Sequence, residues 1–223
     1  FYYERPVPPP HYKSRTELRL PESGGLYICP MTLQKIHPDF DAALEGILKE
    51  DEMGHIVFFS DKHNANWQSM LESRFERTIA PSLRGRIVFL PWVTNYQDFM
   101  CFMQAADVIL DPFHFGIGVT AVAALSVGTP FVTKPSNFAR GRYGLYYSAM
   151  LDTMECVVDT TEEYIARAVA IARTPSLRPQ IKSKILVNND RLFENKQGID
   201  ELAAFFKTHH SLPVVLPTAA AIT

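Results

Sequence analysis

Hydrophobic and polar positions along this chain follow two alternating periods. Short, nearly continuous apolar runs occur at Gly25–Cys29, His55–Ser60, Arg86–Leu90, Asp107–Asp111, Phe131–Thr133 and Cys156–Val158. Between most of them lie stretches of helical length whose apolar residues recur every three or four positions. Phe40, Leu44, Ile47 and Leu48 form one such stripe, and Trp67, Met70, Leu71 and Phe75 a second. Phe99, Phe102, Met103 and Ala106 form a third, and Tyr164, Ala168 and Ile171 a fourth. Strands that are apolar at successive positions are buried on both faces, and strands alternating with helices are joined by parallel crossovers. The pattern predicts an α/β fold, a Rossmann-like parallel sheet with helices on both faces. Two more helices are expected near 176–188 and 197–207.

The ends read differently. Residues 1–22 carry Pro6, Pro8, Pro9, Pro10 and Pro21 among charges and are expected to be an extended lead-in from an upstream segment. The predicted domain spans 23–208, and 209–223 is expected to be a loose tail. The chain starts at Phe1 rather than Met, which reads as a processed chain or a fragment of something longer.

Composition narrows the partners. The 223 residues are 47% hydrophobic and 21% charged, the balance of an ordinary globular domain. A formal net charge of −2, with Lys and Arg dispersed, argues against a nucleic-acid binder, which concentrates basic residues on one surface. No apolar run approaches the ~20 residues that span a bilayer, and no secretory signal opens the chain. Cys29, Cys101 and Cys156 are odd in number and widely spaced in apolar surroundings, so they read as buried free thiols. A cytoplasmic or nucleocytoplasmic location is the expectation. No His or carboxylate cluster has metal-ligand spacing along the chain.

In an open parallel sheet, ligands bind beyond the carboxyl ends of the strands, so the strand-to-helix loops are where chemistry is sought. One loop stands out: Asp111-Pro112-Phe113-His114-Phe115-Gly116-Ile117-Gly118-Val119-Thr120, followed by a short helix and the turn Gly128-Thr129-Pro130. Gly116 and Gly118 would let backbone approach an anion, and Thr120 adds a hydroxyl at a helix start. Spacing alone leaves an ordinary helix-entry turn equally open, with Asp111 merely capping it.

The whole segment DVILDPFHFGIGVTAVAALSVGTPFVT (107–133) resembles the nucleotide-binding segment of the protein O-GlcNAc transferase group. That group includes SPINDLY-type fucosyltransferases and bacterial N-glucosyltransferases, two-lobed enzymes of the GT-B kind. Three other stretches fall in the family's order: Leu33–Pro38 (LQKIHP), Arg86–Pro91 (RIVFLP), and Gly141-Arg142-Tyr143 with the Glu194–Phe206 ending. The resemblance covers about 22–208 and implies the C-terminal, donor-binding half of a GT-B glycosyltransferase. It implies an inverting transfer of a hexose or N-acetylhexosamine from a uridine diphosphate sugar to a protein side chain. It also implies an N-terminal catalytic lobe and tetratricopeptide repeats on the same longer chain. No metal and no cofactor are expected from the resemblance, which the lack of a cluster with metal-ligand spacing fits.

Roles carried over are as follows. Lys35 would contact the diphosphate, and Gly116, Gly118, Val119 and Thr120 would cradle it. Val93 and Tyr96 would read the uracil, and His114 would sit at the mouth near the sugar. Arg142 is left between a phosphate and a surface partner, Asp152 or Glu155. Two departures stand against this. Ala123 occupies the place of the family's acidic residue for the ribose, and its His-Thr pair falls at Gly118-Val119, leaving only Thr120. A degenerate, non-catalytic lobe acting as a sensor or interaction domain is therefore the alternative. A dehydrogenase or response domain fits less well, since Ile28-Cys29-Pro30-Met31 replaces any glycine fingerprint after the first strand.

Overall fold

A computed structural model describes residues 2–62 and 64–209. Five strands pair in parallel: β1 (Leu26–Cys29), β2 (His55–Phe59), β3 (Ile87–Leu90), β4 (Val108–Leu110) and β5 (Phe131–Val132), in the order β3-β2-β1-β4-β5. Every residue of β1 and β4 is fully buried, as is nearly all of β2. Successive side chains of a strand point to opposite faces, so the helices must cover both. The predicted three-layer fold is what forms.

The helices follow their apolar stripes. Residues Asp41–Glu50 (α1) bury Leu44, Ile47 and Leu48 against Thr161–Arg173 (α7), which buries Tyr164, Ala168 and Ile171. The start of α7 is fixed by a reciprocal cap. Thr160 Oγ accepts from the Glu163 backbone N–H, and the Glu163 carboxylate accepts from the Thr160 N–H. Asn66–Thr78 (α2) and Pro81–Arg84 (α3) precede β3, and Tyr96–Ala105 (α4) lies against Thr120–Ser126 (α5). Tyr143–Leu151 (α6), Leu177–Asn188 (α8) and Gln197–His209 (α9) complete the described chain. No described helix is long and apolar enough to cross a membrane.

Three expectations change in detail. Met70 is 68% exposed, so the apolar face of α2 is carried by Leu71 and Phe75. The sixth strand shrinks to one bridge, Val157 to Thr133, because a 3₁₀ turn at Met154–Cys156 leaves only two backbone bonds to make beside β5. The lead-in is extended but packed. Leu18 and Leu20 join the core, Tyr3 Oη lies 3.0 Å from Tyr147 Oη, and Arg15 pairs with buried Asp107 at 2.8 Å. The expected tail lies outside the described residues apart from His209, which ends α9. All three cysteines are free and buried, and burial pushes the Cys156 thiol up to about 12.

Candidate donor-binding crevice

From β1 the chain moves outward through β2 to β3, then returns to the other side of β1 for β4 and β5. The direction of winding reverses between β1 and β4. At such a switch point the loops after the two strands diverge and leave a crevice at their carboxyl ends. The loop after β1 supplies Lys35, and the loop after β4 supplies the glycine turn.

A cavity of about 340 Å³ opens beside these loops, within the size range of small-molecule sites. Lys35, Val93, Tyr96, Val119 and Thr120, all expected at the site, line it. So do Phe59 and Phe99, which the apolar patterns marked as core rather than site, and Trp92, which no periodicity or spacing marked. Trp92 is 43% and Tyr96 51% exposed, so both rings offer a face to an incoming planar group. Lys35 ends a 3₁₀ turn, Leu33–Lys35, and its Nζ lies 4.2 Å from the centre of the Phe115 ring. Partial burial lowers its pKa, while the nearby Asp111 charge opposes that shift. Thr32 Oγ1, also along the wall, is shielded from water and has no hydrogen-bond partner among the described residues.

The turn after β4 is built around Asp111. Its carboxylate accepts from the Ile117 backbone N–H and, at 2.6 Å, from the Thr133 hydroxyl. Burial raises its pKa to about 6, and these two hydrogen bonds and the Lys35 charge restrain the rise. Asp111 thus does more than cap a turn, because it ties the β4 loop to the end of β5.

The two glycines have different reasons, and neither has a positive φ. A Cβ on Gly116 would lie 2.5 Å from Asp111 Oδ1, whereas one on Gly118 would meet nothing within 4 Å. Gly116 therefore serves the carboxylate rather than an anion, and only Gly118 leaves open space. The left-handed residue of the turn is His114, at φ 70°. Two N–H groups of the first turn of α5 are already used, Ala121 on Gly118 O and Val122 on Val119 O, each at 3.0 Å. The cavity's fixed positive charge is accordingly Lys35.

His114 and Arg142 lie apart from the cavity wall. Arg142 takes neither expected partner. Its Nη1 donates to the Ser136 carbonyl at 3.1 Å, while Glu155 is engaged by Lys184 at 2.7 Å. Asp152 instead closes α6 in the left-handed conformation. His114 Nε2 lies 2.8 Å from Asp39 Oδ2, and that bond holds the Asp39 carboxyl below its usual range. The His37 ring stands edge-on to His114, 4.6 Å between centres. The three form a His-Asp-His cluster that sequence spacing concealed, since 37 and 39 lie some 75 positions from 114.

Comparison with known proteins bears on this arrangement. No protein-family model and no curated protein matches the chain. Among solved structures, a variant of the Thermobaculum terrenum O-GlcNAc transferase superposes with a TM-score of 0.72 at 21% identity, over 83% of this chain and 36% of that one. A variant of S. aureus TarM, in complex with fondaparinux, α-GlcNAc-glycerol and UDP, gives 0.62 at 10% identity, over 92% of this chain and 38% of that one. The C-terminal domain of a group 1 glycosyl transferase (LpcC) from Francisella tularensis gives 0.61 at 14% identity, over 82% of this chain and 93% of that one. The chain thus spans little more than a third of the first two proteins and nearly the whole of the third. Its fold is that of the carboxy-terminal, Rossmann-like lobe of the GT-B glycosyltransferases, O-GlcNAc transferase among them.

Proposed function

We propose that this chain is the donor-binding lobe of an inverting glycosyltransferase that takes a hexose or N-acetylhexosamine from a uridine diphosphate sugar to a protein side chain. One observation carries the reading. At the β1/β4 switch point, a single cavity is lined both by one ammonium, Lys35, and by the aromatic rings of Trp92 and Tyr96. Such rings suit a planar base, which stacks on an aromatic face, and the ammonium suits a diphosphate.

In this reading the acceptor atom bonds to the anomeric carbon as that carbon's bond to the β-phosphate oxygen breaks. Uridine diphosphate leaves with the electron pair, and the acceptor's proton passes to a base on a second lobe. Lys35 acts where negative charge develops, which is where a fixed positive charge lowers the barrier most. Val119, Thr120 and Gly118 flank the diphosphate, and Val93 and Tyr96 border the uracil. No cofactor takes part. The acceptor, the second lobe and repeats that present a protein substrate belong to the proposal as partners.

Calorimetric titration of uridine diphosphate, with guanosine diphosphate as the control, tests it. Uridine-selective binding is expected, and Lys35→Ala should weaken it about ten- to a hundred-fold, the worth of a hydrogen bond to a charged group. Equal binding of both nucleotides, or indifference to Lys35→Ala, would overturn the reading.

Ala123 favours a second reading. It lines the cavity at 1% exposure, and its methyl group cannot accept hydrogen bonds from a ribose. A lobe that kept the fold but lost the chemistry would bind the nucleotide poorly. If Ala123→Asp raises affinity by about tenfold or more, the pocket persists in weakened form. Tight binding by the native chain excludes this second reading.

A further inference from the structure

Outside the cavity, the loops after β1 and β4 bring together three side chains to which the proposed transfer gives no role. His37 and Asp39 flank Pro38 at the entry to α1, and His114 comes from the turn after β4. Their nitrogen and carboxylate donors all lie within 4.8 Å of one another. Asp39 reaches both rings, with Oδ2 2.8 Å from His114 Nε2 and Oδ1 3.5 Å from His37 Nδ1. All three side chains are between 41% and 61% exposed, so an ion could enter from solvent.

We propose that His37, Asp39 and His114 form a binding site for a divalent transition ion of the zinc class. Two imidazoles and one carboxylate are the donor set of three-ligand zinc sites that keep a further position open. Tetrahedral bonds of about 2.0–2.1 Å place ligand atoms roughly 3.3 Å apart, so the observed spacings close by small side-chain rotations. The chain has already been bent to assemble the group, since His114 adopts φ 70°, a conformation uncommon outside glycine. A simple surface ion pair needs only Asp39 and His114, whereas the second imidazole is placed as a third ligand. Its Nδ1 accepts only a 3.2 Å bond from the Asp39 N–H, which a metal would replace. Lys134 is a competing charge that acts on Asp39 while its Nζ rests 4.4 Å from the centre of the Phe113 ring. The site carries no step of the proposed transfer, so either reading stands without the other.

The test is equilibrium dialysis of the untagged, chelator-treated chain against Zn²⁺, with Co²⁺ as the spectroscopic probe. One equivalent of Zn²⁺ and an intense visible cobalt band are expected. His37→Ala, Asp39→Asn and His114→Ala should each weaken binding by at least about tenfold. Lys35→Ala should leave it unchanged while weakening uridine diphosphate. In the wild-type chain, Zn²⁺ should shift the ring proton resonances of His37 and His114 together, a readout that needs no variant to fold. No saturable binding, retention of it in all three variants, or failure of those two resonances to move would overturn the site.

Discussion

The two walls of the crevice are built in opposite ways. On the β4 side, a buried carboxylate holds the loop to its neighbour strand, and glycines at 116 and 144 make room for it. A Cβ on Gly144 would lie 2.4 Å from Thr133 Oγ1 and 2.6 Å from Asp111 Oδ2. On the β3 side, exposed Trp92 in the Pro91–Asn95 loop is followed by exposed Tyr96 at the start of α4, where Asn95 Oδ1 caps the helix by accepting from the Gln97 N–H at 2.8 Å and from the Asp98 N–H. One wall is rigid because its polar centre is buried and satisfied. The other presents half-exposed rings to solvent. A site that must hold a charged group still while reading a planar one is served by that division.

Crowding the rigid wall should have the largest effect. Gly116→Ala and Gly144→Ala both push a methyl into the Asp111 carboxylate, and overpacking of this kind costs about 1–3 kcal/mol. At about 2–4 °C per kcal/mol, each should lower Tm by several degrees. The double variant should depart from additivity, since both press on one group. A melting point within a degree of wild type for both single variants would show that the wall is not fixed as described.

Acidity should come next. The Asp111 pKa of about 6 lies above the ordinary value of 3.8, so the folded state favours the protonated form. The cost of keeping it ionised is present above pH 6 and disappears as pH falls toward 4. Stability should therefore rise on acidification through this window, by up to about 3 kcal/mol for a two-unit shift. Asp111→Asn removes that titration while Asn can still accept from Ile117 and donate to Thr133. Chemical denaturation from pH 7.5 to 5 should show wild type gaining on the Asn variant. A constant difference would refute the assignment.

The aromatic wall should behave in reverse. Trp92→Ala and Tyr96→Ala remove half-exposed rings, so their melting points should move little. Their affinity for uridine diphosphate should fall by about 1–3 kcal/mol, the usual worth of a base stacked on an aromatic ring. Loss of stability without loss of affinity would make these residues packing rather than recognition.

How far all this was legible from sequence follows the same division. The sheet announced itself because β1, β2 and β4 are apolar at successive positions, and α1 and α7 because their stripes keep helical spacing. The glycine turn was legible because the fold places strand-to-helix loops at the crevice, and Lys35 because its stretch resembles a family motif. Trp92 was not, since an exposed aromatic in a loop has no period to betray it. Nor was the His37, Asp39 and His114 group, which only the pairing of β1 with β4 assembles. Both glycines were found, but the crowding of Gly116 by a side chain was not foreseen. No local signal says that His114, rather than a glycine, takes the left-handed position, or that Gly116 yields to a carboxylate five residues earlier in the chain.

Gly118 sharpens the comparison with the smallest expected change. It lies in the same turn as Gly116, yet an added Cβ meets only open space and its φ is not positive. Alanine should therefore fit, and by reducing the freedom of the unfolded chain it should leave stability unchanged or raise it by about 0.4–1 kcal/mol. The open space is then explained either by a ligand or by nothing. If a phosphate approaches the backbone there, the methyl will obstruct it, and Gly118→Ala will bind uridine diphosphate less tightly despite melting no lower. If affinity is unchanged, the diphosphate is held by Lys35 without close approach to the turn, and the glycine has no role in the crevice. Thermal melting and calorimetry on this one variant separate the two, because the effect on folding and the effect on binding point in opposite directions.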